Sequence, residues 1–177
     1  MRLKTAPGVI LATALTFSLS ACYETETPVL DKGERAPIAG KYSCQNRISG
    51  KREEVVNTEQ KEGFWFLANY KYVDSQGSPA LLKKLPSKLY LGQSMNKGGG
   101  YEYGFVDVLD DKTYLVLIAD LMSKGDYIEP LLKKFNIQGK ANKQLVRLKG
   151  DKRNLIDFFA AHDKSMMMVI LKCDKVQ

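Results

Sequence analysis

Between Gly40 and Ala119 the sequence is dominated by runs of strand length, and this restricts the fold more than any other feature. Runs at 40–45, 53–58, 63–73, 88–92, 101–108 and 113–119 collect β-branched and aromatic residues between turn-forming segments. In 63–73, Phe64, Phe66, Ala68, Tyr70 and Tyr72 share one face, and Trp65, Leu67 and Val73 share the other with Asn69 and Lys71. Residues 109–112, Leu-Asp-Asp-Lys, suit a hairpin turn. The Gly/Ser/Pro segment 75–86 reads as a loop with some helical potential at 79–85.

The last third changes period. Ile128, Leu131, Leu132 and Phe135 predict a short helix over 127–135, and a strand follows at 145–148. Asp151 is placed to cap a helix over 152–161, whose buried stripe is Leu155, Phe158, Phe159 and His162. A final strand is expected at 166–171. The fold class expected is α+β, a mainly antiparallel sheet or partly closed β-barrel with two short helices late in the chain. With 44% apolar and 27% charged residues, low-complexity and fully disordered classes are excluded.

The N-terminus carries an address. Arg2 and Lys4 precede a mostly apolar stretch over 9–19, which is too short to span a bilayer and is followed by small residues. Leu19-Ser20-Ala21-Cys22 resembles the lipobox of bacterial lipoproteins at every position. That resemblance implies removal of residues 1–21 and acylation of Cys22, with palmitate-type chains tying the protein to a membrane. Tyr23, rather than aspartate, follows the cysteine, which by the same resemblance implies the outer membrane, facing the periplasm. Residues 22–37 are then expected to be a flexible tether, and 38–177 one globular domain.

With Cys22 committed to lipid, Cys44 and Cys173 remain as a pair in an oxidising compartment and predict a structural disulfide. It would bring the first and last strands of the domain together.

Candidate chemistry is sparse. His162 is the sole histidine, it lies on an apolar stripe, and no nucleophile motif accompanies it. Gly98-Gly99-Gly100 precedes a strand rather than a helix, so it does not form a phosphate cradle. Asp107, Asp110 and Asp111 lack calcium-loop spacing, and Met166-Met167-Met168 reads as core filler. No catalytic residue, metal site or cofactor is expected.

Charge is local. Lys133, Lys134, Lys140, Lys143, Arg147, Lys149, Lys152 and Arg153 face only Asp151, so the window 131–153 carries +7. Residues 22–177 sum to +5, so the remainder is slightly acidic. Such a patch suits an envelope protein or an anionic envelope polymer, and export argues against nucleic acid.

Two functions compete. The first is a non-catalytic envelope lipoprotein that binds or steadies another envelope component through this patch. The second is a carrier of a small apolar ligand: Gly40-Lys41-Tyr42 resembles the Gly-x-Trp opening of lipocalins, with tyrosine for tryptophan. A cavity of roughly 300 Å³ or more would favour the carrier, and its absence would favour the interaction module. Tyr42-Ser43-Cys44 also resembles the opening strand of some exported lysozyme inhibitors. Their target is basic, however, and a basic patch has the wrong sign for it.

Overall fold

The computed structural model describes residues 23–64, 67–75, 77–141 and 145–176. Seven strands form a continuous antiparallel meander: β2 (Gly40–Asn46), β3 (Arg52–Glu62), β4 (Asn69–Val73), β5 (Pro79–Lys84), β6 (Tyr90–Met95), β7 (Tyr101–Val108) and β8 (Thr113–Ala119). The last strand, β11 (Met167–Lys175), pairs antiparallel with both β8 and β2 and closes an eight-stranded barrel. Closure removes the open edges that a flat sheet would expose. Eight strands also leave an interior just wide enough for side chains or one small ligand.

Before β11 the chain leaves the barrel through α1 (Leu121–Lys124), α2 (Ile128–Lys134), β9 (Gln138–Ala141), β10 (Val146–Lys149) and α3 (Lys152–Ala160). A short strand, β1 (Tyr23–Thr25), pairs antiparallel with the start of β7 and parallel with β10. It takes over the edge of β7 at 101–103, where β8, which covers 105–108, has turned away.

Alternation gives the barrel wall two buried faces. Val106, Tyr114, Val116 and Tyr72 point inward, while Leu91, Tyr103, Phe105 and Leu117 point outward. In the outward set, α3 covers Tyr103 and Phe105: Phe159 stacks on Tyr103 with ring centroids 4.9 Å apart and meets Phe105 edge-on at 6.3 Å. A wall covered on both sides reads as a continuous apolar run, as 113–119 does.

Most expected elements lie within a few residues of their places, and the exceptions have physical reasons. The run 63–73 is not one strand. The charged segment 59–62 extends β3, Gly63 turns the chain at φ +81°, and the strand resumes only at Asn69. A positive φ suits glycine, and Phe64 beyond it is 82% exposed. Trp65 and Phe66 lie outside the described residues. The segment expected to be helical at 79–85 is instead the strand Pro79–Lys84, because alternating Ala80 and Leu82 face inward opposite Ser94 and Gly92. Asp151 occupies the N-cap of α3, but its side chain makes no cap bond; its backbone oxygen accepts from Leu155 N.

The largest correction concerns the tether. From Tyr23 onward the expected flexible segment is part of the fold. Tyr23 is fully buried, and Val29, Leu30 and Ala36 are buried with it. Gln93 Oε1 accepts from the amides of Val29 and Leu30 at 2.8 and 2.7 Å, and Gln93 Nε2 returns a bond to Leu30 O. Gly33 O accepts from Tyr70 N at 3.0 Å, and Glu34 N donates to Leu82 O at 2.6 Å. A Cβ on Gly33 would stand 2.0 Å from Tyr70 O, so glycine is required there by close backbone approach. Local composition looked like a linker; the bonds that order it come from strands far along the chain.

Candidate functional site

A cavity of about 380 Å³ occupies the barrel interior. Its floor is made by Ile38, Asn57, Tyr72, Leu82 and Tyr114, and its walls include Val106 and Val116. Gly92 and Gly104 sit directly opposite one another on β6 and β7 and leave the wall between them bare of side chains. A Cβ on Gly92 would touch only Leu82 Cδ2 at 3.4 Å and Gly104 O at 3.6 Å, so space here comes from small residues and not from strain. The rim carries Asp74, Ser78, Met95, Asn96 and Lys97, and Met95 is 60% exposed.

Floor and mouth differ in polar chemistry. On the floor, Asn57 Nδ2 donates to Ile38 O and to Tyr114 Oη, both at 3.0 Å. Tyr72 Oη accepts from Ala36 N at 2.6 Å and donates to Ala36 O at the same distance. Burial pushes the Tyr114 phenol up to about 12, against the Asn57 hydrogen bond, so it stays neutral. At the mouth, Ser94 Oγ is buried without a hydrogen-bond partner, and Glu102 opposite it makes neither hydrogen bond nor ion pair among the described residues. Partial burial, then the charge of Glu24, raise the Glu102 carboxyl above the usual range.

The predicted disulfide is present. Cys44 and Cys173 are register partners on β2 and β11 and are bonded at 2.03 Å across a sequence separation of 129. Their side chains are buried with Tyr114, whose hydroxyl lies 3.9 Å from Cys44 Sγ. On the chain-entropy model, closing so long a loop contributes roughly 5 kcal/mol.

The basic residues are spread over four elements. Lys133 and Lys134 end α2, Lys140 lies on β9, Arg147 and Lys149 on β10, and Lys152 and Arg153 begin α3. Lys140 and Arg147 are cross-strand partners, and Lys149 follows on the same exposed side of β10. Two of the set are paired from outside the window: Arg147 Nε lies 3.4 Å from Glu24 Oε2, and Lys152 contacts Asp31. Lys143 and Cys22 lie outside the described residues.

Other sequence candidates have structural roles. His162 is 1% exposed, with Nδ1 2.9 Å from Phe158 O and Nε2 2.7 Å from Tyr23 Oη. A carbonyl only accepts, so Nδ1 carries the proton and Nε2 accepts from the tyrosine. Burial holds the ring down to about 4, so it is neutral at pH 7. The amides of Gly98 and Gly100 donate to Asn96 Oδ1, so they are engaged in the turn. Asp110 Oδ1 accepts from Lys112 N and Thr113 N, and Asp107 pairs with Lys164 at 2.5 Å. Among the described residues no group of three or more His, Cys, Asp or Glu could hold a metal ion.

Ser94, Glu102 and the two glycines were not singled out from the sequence. The signal was available in 101–108: Tyr101, Tyr103 and Phe105 alternate with Glu102, Gly104 and Val106. A mid-strand glycine beside an acid on the less aromatic face marks a strand that does not fill the space before it. Compared with protein-family models, with curated proteins and with solved structures, the chain matches none.

Proposed function

We propose that this protein is a non-catalytic carrier of a small, mainly apolar ligand, held at the bacterial envelope by an acylated Cys22. The supporting observation is the cavity: about 380 Å³, lined by residues of β3 to β8, largely apolar, with its floor polar groups hydrogen-bonded and Ser94 at the mouth without a partner. That volume lies within the range of small-molecule sites. Gly92 and Gly104 support the same reading, because side chains there would occupy the space.

Folding of the chain from Tyr23 gives an anchor at Cys22 a definite consequence. Cys22 precedes Glu24 by two residues, at most about 7 Å of chain. Glu24 is the register partner of Glu102 at the cavity mouth. Acyl chains at Cys22 would therefore hold the mouth close to the lipid surface, where apolar molecules partition. Replacement of Cys22 by serine is expected to release the protein from the membrane fraction; retention there would remove the anchor from this reading.

The carrier reading is tested with an apolar fluorescent probe. Wild-type protein is expected to bind 1-anilinonaphthalene-8-sulfonate or a neutral naphthylamine with saturable stoichiometry of one. Gly92→Leu, which fills the interior from an unstrained strand position, is expected to lose at least tenfold in affinity with its circular dichroism unchanged. Equal binding by the two proteins would place the probe elsewhere and remove the carrier reading.

A second reading has one observation in its favour. β9 stands at the end of the sheet order, and Lys140, Arg147 and Lys149 lie on its hairpin with β10. An open, basic edge suits an acidic envelope partner, as an addition to the carrier role and not a replacement for it.

A further inference from the structure

From β5 to β9, one register row carries Ala80, Ser94, Glu102, Glu24, Arg147 and Lys140 past the cavity mouth. Directly opposed residues of a sheet share a face. The row therefore runs from the apolar interior through two adjacent carboxylates to two cations. Arg147 lies against Glu24 at 3.4 Å, and Lys140 lies beyond Arg147. Neither cation pairs with Glu102, and among the described residues no other group does. It stays unmatched beside a like charge, with the unpartnered hydroxyl oxygen of Ser94 across from it.

We propose that Glu102 and Ser94 form the head-group site for a cationic amphiphile, one whose amine sits at the mouth while its apolar body fills the barrel. This rests on the carrier reading and specifies its ligand. Three features set the sign. The charged residues lining the cavity are Asp74, Glu102 and Lys97; Lys97 is exposed on the β6–β7 turn, and Glu24 adds its charge behind Glu102. An ammonium group brings three donors to a site offering acceptors, a carboxylate and a hydroxyl oxygen. A fatty-acid carboxylate would bring a second negative charge against Glu102, which has no cation beside it among the described residues, and would be repelled. The Glu102 carboxyl is raised first by partial burial and then by the Glu24 charge, and no cation lowers it.

The test uses three probes of one chain length, decylamine, decanol and decanoate, titrated calorimetrically into the purified protein at fixed salt. Decylamine is expected to bind at least tenfold more tightly than decanol, and decanoate more weakly than either. Glu102→Gln, which keeps size and hydrogen bonding, is expected to cost the amine about tenfold and decanol less than twofold. Preference for decanoate, or an amine preference that survives Glu102→Gln, would overturn the head-group assignment while leaving the carrier standing. If none of the three binds, the carrier and its head-group site fall together.

Discussion

The barrel wall at β6 and β7 is buried from both sides, and the two sides are finished differently. Outside, Tyr23, Tyr103, Phe105, Phe158, Phe159 and His162 pack ring against ring, with several centroid pairs between 4.8 and 5.6 Å. The polar atoms among them are matched: Gln93 serves two amides and a carbonyl, and His162 is bonded at both nitrogens. Inside, the same strands present glycines to a cavity and leave Ser94 and Glu102 without side-chain partners among the described residues. A β-strand gives each face every second residue, so one strand can serve packing and binding through separate sets. The outer layer holds the wall in place, and the inner face is thereby left free to be incomplete.

If that division is right, truncations on the two faces will not cost the same. Phe159→Ala removes a fully buried ring that touches Tyr23, Tyr103, Phe105 and Phe158, and is expected to destabilise by about 3–5 kcal/mol. Leu82→Ala enlarges a space that already exists, so its cost should fall near 2 kcal/mol, at the lower end for such truncations. Urea unfolding with a constant m-value measures both. Equal costs, or a larger one at Leu82, would mean that the inner face is packed as tightly as the outer and that the cavity is not available to a ligand.

How much of this was legible in the sequence follows from the same division. The strands 101–108 and 113–119 were visible because runs of aromatic and branched residues persist whichever face is buried. Cys44 and Cys173 indicated that first and last strands meet, which barrel closure requires. The cavity was not legible, because alternation says which residues share a face but not whether a face is filled. Nor was the folding of 23–37: Thr25, Gly33 and Ala36 have linker composition, and their partners Tyr103, Tyr70 and Tyr72 lie some 36 to 78 positions away. The basic window was visible as charge, but Glu24 and Asp31, which neutralise part of it, lie in the segment of linker composition.

The outer layer carries a second signature, in its pH dependence. His162 is held down to about 4 by burial, against an unfolded value near 6.5, even though Asp163 beside it acts in the opposite direction. Between those values the unfolded chain binds a proton that the folded chain refuses. Stability therefore rises with pH from 4 to 6.5, is fully present above that range, and is lost as the solution is acidified through it. The size is about 3 kcal/mol for a group this buried. Urea unfolding at pH 7 and pH 4.5 is expected to show most of that loss in the wild type. His162→Gln, which can keep an acceptor for Tyr23 and a donor for Phe158, should flatten the difference because glutamine does not titrate. An unchanged acid slope in the variant would assign the loss to carboxylates elsewhere and show that acid can reach the outer layer as freely as it reaches the mouth.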